Sequence, residues 1–137
     1  MEIKIIPYTT YLEKEVLPLY QSVGWENYTN DPEKLHQSFE HSLIILGAYS
    51  QDRLIGILRA VGDGYSILYI QDILVIPEFQ HQGVGSALYE ELFKRYPQVY
   101  QTALMTDAEM RNKAFYEKLG FKEVPTISCT AFVKFKK

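Results

Sequence analysis

Asp72-Ile73-Leu74-Val75-Ile76-Pro77-Glu78-Phe79-Gln80-His81-Gln82-Gly83-Val84-Gly85-Ser86 is the stretch on which the fold turns. Its first residues read as the end of an apolar strand that Pro77 closes. From Gly83 the spacing of Val84, Leu88 and Leu92 predicts a helix that Pro97 stops. Gly83 and Gly85 fit two readings. Glycines relax a sharp strand-to-helix turn. They also let the backbone approach a ligand, and the first N–H groups of a helix form a concave donor surface suited to a pyrophosphate. Two other phosphate-binding designs are excluded. No Lys-Ser or Lys-Thr follows the glycines, as a Walker loop requires, and Leu88 stands where the dinucleotide fingerprint needs its third glycine.

Upstream, residues 43–49, 54–61 and 65–76 are rich in Ile, Leu, Val and Tyr, with Ser50-Gln51-Asp52-Arg53 and Gly62-Asp63-Gly64 between them. These connections are too short for a crossover helix, so the three strands form an antiparallel meander. Residues 2–7 alternate as a strand. Residues 12–23 follow with helical spacing, which Pro18 is expected to kink or divide. Asp31-Pro32-Glu33 starts a further helix to about Ser42. Downstream come a strand over 98–105, a helix over 111–119 capped by Gly120, and a final strand over 127–135, the strand-helix-strand order implying a parallel pair. The class is α/β, with helices flanking a largely antiparallel sheet in one domain, 1–137.

The length of 137 residues suits one core, and 47% hydrophobic with 23% charged residues is globular composition. A net charge of −3 disfavours a nucleic-acid surface. No apolar run approaches the roughly 18 residues that span a bilayer, and no secretory leader is visible, so neither membrane insertion nor export is expected. The single cysteine, Cys129, excludes an internal disulfide, and a cytoplasmic location is the expectation. Cys129 is read as a small buried strand residue. His36 and His41 lie five apart on one helix, about 140° around its axis, and cannot chelate one metal; no metal is expected.

Gln80-His81-Gln82-Gly83-Val84-Gly85 resembles the Gln/Arg-x-x-Gly-x-Gly/Ala signature of GCN5-related N-acetyltransferases. Asn112-Lys113-Ala114-Phe115-Tyr116-Glu117-Lys118-Leu119-Gly120-Phe121 is similar to that family's late helix and its Phe-Tyr-x-x-Leu-Gly-Phe ending. The resemblance covers the chain in element order, its specific motifs lying in residues 72–86 and 112–121. It implies a splayed sheet and an acetyl-CoA cosubstrate. Backbone groups of Ile73, Leu74 and Val75 would then pair with the pantetheine amides. Gln80 belongs to the signature, and N–H groups of His81, Gln82, Gly83, Val84, Gly85 and Ser86 would hold the diphosphate. Asn112 matches a cofactor-contacting position, whereas Gln82 departs from a slot that is often basic.

The implied reaction is attack of a neutral primary amine on the thioester, with a backbone N–H near Leu74 steadying the oxyanion. Tyr116 matches the family's general acid; as a residue alone it reads more readily as a core tyrosine. Glu26 and Asp72, then Asp107, are candidate bases, each also readable as a solvated or capping acid. Trp25 and Tyr28 fit either the wall of an amine pocket or a staple between helices and sheet. The expected substrate is a small-molecule amine. A protein lysine or N-terminus, or acyl-CoA sensing without turnover, are the alternatives. Phe132 and Phe135 fit a half-buried strand as well as a dimer interface, so the chain is read as monomer or homodimer.

Overall fold

The computed structural model describes residues 2–136. The chain divides into two compact units, one up to Met105 and one from Thr106 onward. In the first, β1 (Lys4–Pro7), β2 (Ile44–Ser50), β3 (Arg53–Gly62), β4 (Ile67–Val75) and β5 (Gln101–Leu104) form a sheet in sequence order. The β1 to β4 pairs are antiparallel, as the short connections require for β2–β3 and β3–β4, and β5 runs parallel to β4. Gln51 and Asp52 turn between β2 and β3 with φ of 49° and 66°, the left-handed twist that matches a tight hairpin. At the β3–β4 connection, the Asp63 carboxylate accepts the Ser66 hydroxyl and the N–H groups of Tyr65, Ser66 and Ile67. These bonds hold its pKa well below the usual carboxylate range.

Helices α1 (Glu13–Ser22), α2 (Glu26–Thr29) and α3 (Pro32–Glu40) precede β2, and α4 (Val84–Arg95) joins β4 to β5. The chain is not divided into two helical pieces at Pro18: α1 is one helix that contains it. Burying Val16 and Leu19 contributes about 1.5–3 kcal/mol each, enough to offset the roughly 3 kcal/mol that an interior proline costs. α3 starts where its capping residue predicts, the Asp31 side chain accepting the Lys34 N–H at 3.2 Å. α4 buries Val84, Leu88, Tyr89 and Leu92, and α1 buries Val16, Leu19 and Tyr20.

Register assigns these helices to opposite faces of the sheet. A side chain at Gly56 would meet Leu88 of α4, so Gly56, Leu58 and Ala60 face α4, while Arg59 faces the other layer, where it shares Asp72 with Tyr20 of α1. Ile70 opposes Ala60, but Asp72 opposes Arg59, leaving Gln71 as an extra residue in β4. Residues two apart normally share a face. This bulge instead sends Ile70 to the α4 side and Asp72 to the α1 side.

The second unit contains α5 (Met110–Lys118) and a 3-10 turn, Val124–Ile127. Gly120, at φ +98°, closes α5: its N–H donates to Glu117 at 3.0 Å and that of Phe121 to Tyr116 at 3.0 Å, the paired bonds of a left-handed cap. The strand expected over 127–135 does not form. Pro125 and Thr126 wind into the 3-10 turn, Ser128 takes a left-handed φ of 62°, and this unit holds no strand among the described residues for the alternating segment to bond. Cys129 is consequently exposed rather than buried, as are Phe132 and Phe135.

Candidate functional site

After β4, a 3-10 turn over Pro77–Phe79 leads into the glycine loop, whose form is set by two glutamines folding back onto it. Gln80 Nε2 donates to the Val75 carbonyl at 2.8 Å and Gln82 Nε2 to the Glu78 carbonyl at 3.1 Å, while Arg53 pairs with Glu78 at 2.9 Å. His81 and Gly83 have left-handed φ values of 62° and 85°. The first bond into α4 is from Ala87 to Gly83 at 3.0 Å, and the N–H groups of residues 81–86 have no acceptor among the described residues. Gly83 carries no side-chain cap, and a Cβ there would meet nothing within 4 Å. The loop is thus an open row of donors at the positive end of a helix. Gln80 and Gln82 brace it with their side chains, and the His81 side chain is exposed.

The row of donors adjoins an opening in the sheet. Pairing of β4 with β5 ends at Ile70–Leu104, so residues 71–75 of β4 keep β3 on one edge and, among the described residues, no strand on the other. The Ile76 N–H donates to Ile55 at 2.9 Å, and the alternation of the antiparallel ladder then turns Leu74 and Asp72 toward β3. The groups presented to the opening are those of Ile73 and the Val75 N–H, with the Val75 carbonyl taken by Gln80. This corrects the expectation for Leu74, whose N–H the ladder commits to β3.

Asp72 lies in a closed cluster. It is 3% exposed and its carboxylate accepts Arg59 Nε at 2.8 Å, Tyr20 Oη at 2.9 Å and Tyr28 Oη at 2.8 Å. Arg59, 5% exposed, also reaches Ser42 Oγ and Tyr28 Oη, both at 3.2 Å. Burial alone would lower the Arg59 pKa, but the Asp72 carboxylate outweighs it and holds it above the ordinary range. Burial first, then Asp72, push both Tyr20 and Tyr28 upward. Asp72 is therefore a structural acceptor with its oxygens engaged. Trp25 packs on Tyr20 at 5.9 Å and Tyr28 at 6.3 Å between ring centres, so these aromatics staple α1 and α2 to β4. Glu26 is exposed at the start of α2. Sequence reasoning missed Arg59, Tyr20 and Gln71. Arg59 was the findable one, since an arginine inside an apolar strand requires a partner on a neighbouring strand.

In the second unit, Tyr116 is half-buried, its ring edge-on to Phe121 at 5.7 Å, and burial raises its pKa. Asn112 Nδ2 reaches the Asp107 carbonyl at 3.4 Å, and Asp107 is exposed. A groove of about 520 Å³ lies along α1 and is lined by Lys14, Leu19, Arg53 and Glu78 among others; it includes none of residues 80–86.

Residues 9–121 match the acetyltransferase (GNAT) family. The chain is 32% identical over 115 residues to an uncharacterized N-acetyltransferase, ycf52, of Porphyra purpurea, covering 81% of this chain and 65% of that protein. It is 32% identical over 120 residues to the histone acetyltransferase TAP1 of Glycine max, covering 78% and 50%. The chain thus spans half to two-thirds of the length of these relatives. Among solved structures, the GNAT-family acetyltransferase SP0256 of Streptococcus pneumoniae TIGR4 superposes with a TM-score of 0.89 at 37% identity over 99% of both chains.

Proposed function

The chain belongs to the GNAT acetyltransferase family, and from that premise we propose that it transfers the acetyl group of acetyl-CoA to a primary amine of a small molecule, by direct attack within a ternary complex. One observation carries the reading: a run of unpartnered N–H groups over residues 81–86 beside a β4 edge left open from residue 71. The open donors suit a diphosphate, and the space at Gly83 lets an anion approach the backbone. When bound, acetyl-CoA supplies an activated acyl thioester. Ile73, through its N–H and carbonyl, and Val75, through its N–H, would bind amides of the pantetheine arm as an added strand does. Gln80 and Gln82 keep the loop in shape. Tyr116 is proposed as the general acid that protonates the departing thiol, and Asn112 as a cofactor contact, both on the family pattern. Asp72, with its oxygens occupied, is set aside as base in favour of Glu26 or water.

The test is thiol release. Protein and acetyl-CoA are mixed with putrescine, phenethylamine or a lysine peptide while free coenzyme A is followed. The peptide arm is included because one relative is named a histone acetyltransferase. Release with a small amine is the expected result. Release with the peptide alone would redirect the reading to protein substrates, and coenzyme A binding without any release would make the domain a sensor.

A further inference from the structure

The buried cluster around Asp72 is a hydrogen-bond chain with one loose end, and that end lies where β4 leaves β5. Ser42 Oγ donates to the Ser38 carbonyl at 2.7 Å and accepts Arg59, which is held by Asp72. The Tyr28 hydroxyl gives its one proton to Asp72 and accepts Arg59 Nη2 at 3.2 Å and Gln71 Nε2 at 3.3 Å. A carboxylate accepts only, so the Tyr28 proton has a fixed destination, and toward Gln71 the hydroxyl can act only as acceptor. The Gln71 amide must therefore turn its nitrogen to Tyr28 and its oxygen away. That oxygen has no partner among the described residues, and Gln71 is exposed. Gln71 is also the bulge residue, immediately after the last β4–β5 pair.

We infer that Gln71 is a specificity-determining residue, its side-chain carbonyl accepting an N–H of the incoming amine at the mouth of the opening, with Tyr28, Asp72 and Arg59 acting as positioning residues that fix the amide. The inference rests on the reading that the opening holds the acyl donor. It selects neutral primary amines, which can donate one N–H to Gln71 while the nitrogen lone pair attacks the thioester, over acceptors with no N–H to donate. The bulge is what makes this possible. Without the extra residue Asp72 would face α4, away from Tyr20 and Tyr28, and the chain of bonds would not reach the opening.

The test uses whichever of putrescine, phenethylamine or lysine peptide the wild type acetylates, with steady-state kinetics in both substrates and coenzyme A calorimetry alongside. Gln71 is exposed, so its variants are expected to fold. Gln71→Leu removes the acceptor oxygen and is expected to raise KM for the amine about fivefold or more, leaving KM for acetyl-CoA and the coenzyme A affinity unchanged. Gln71→Glu keeps an acceptor oxygen but offers the Tyr28 hydroxyl no donor, so it is expected to recover only part of the amine KM. Tyr28→Phe leaves the Gln71 nitrogen without its acceptor and is expected to raise the amine KM in the same way, with kcat changed less. Coenzyme A heat with an unaltered amine KM in both Gln71→Leu and Tyr28→Phe overturns this inference alone. Absence of coenzyme A binding in the wild type overturns it together with the proposed function.

Discussion

Replacing Asp72 by alanine removes the carboxylate that Arg59, Tyr20 and Tyr28 share in a site only 3% exposed. Arg59 stays charged and enclosed, with a hydroxyl on Ser42 and another on Tyr28 as its remaining partners. Deleting one member of a buried ion pair costs about 3–5 kcal/mol, against a total domain stability of about 5–15 kcal/mol. The Tyr20 hydroxyl also loses its acceptor. The Arg59→Met/Asp72→Leu double variant removes both charges, which is close to neutral for the pair, and leaves a penalty of about 1–3 kcal/mol for the buried Tyr20 hydroxyl. The double variant is therefore expected to be more stable than Asp72→Ala. Urea unfolding followed by circular dichroism and by Trp25 fluorescence measures both, with an unchanged slope as the check on two-state behaviour. A loss below about 1 kcal/mol in Asp72→Ala, or a double variant weaker than the single, would refute the assignment of this cluster as the strut between α1, α2 and β4.

Gly83→Glu places a side chain and a negative charge in the open space before α4 and is expected to abolish coenzyme A binding in calorimetry while the circular dichroism spectrum is kept; retained affinity would contradict the donor-row assignment. Tyr116→Phe is expected to lower kcat by about a hundredfold with coenzyme A affinity retained, as removal of a general acid does, and an unchanged kcat across pH in single-turnover measurements would remove it from that role. Alkaline titration gives a fourth outcome. Burial raises the pKa of Tyr20 and Tyr28, and that of Tyr89 to about 12, so the folded protein binds more protons than the unfolded chain above about pH 10. The stability these groups contribute is complete below that point and is lost as pH rises past it. Denaturation midpoints at pH 9 and 11 should fall accordingly, and an ordinary phenol titration of the folded protein would contradict this.

The meander and the strand-turn-helix at Gly83 were legible because their causes are local: short connections exclude crossovers, and glycines mark left-handed backbone. The last strand was not legible, because alternation in residues 127–135 measures suitability for a sheet and says nothing of whether an edge is available. Burial of Cys129 failed with it. The bulge at Gln71 was also hidden, since β4 is apolar enough on both parities that a change of face leaves no break in pattern. That one residue decides whether Asp72 is an exposed base or a buried acceptor. Leu74 was misassigned for a related reason: hydrogen-bonding phase belongs to the pairing register, which composition does not encode. Arg59 carried a readable signal, a charge within Leu54-Ile55-Gly56-Ile57-Leu58-Arg59-Ala60-Val61, and Asp72 was the acid that could answer it.

The central claim is that main-chain donors of residues 81–86 grip a diphosphate. Calorimetric titration with coenzyme A and with pantetheine, which lacks that group, tests it most directly. Two charge-assisted hydrogen bonds at about 1.5–3 kcal/mol each make coenzyme A the tighter ligand by about a hundredfold or more. Equal affinity for the two, or no heat from coenzyme A, would contradict it.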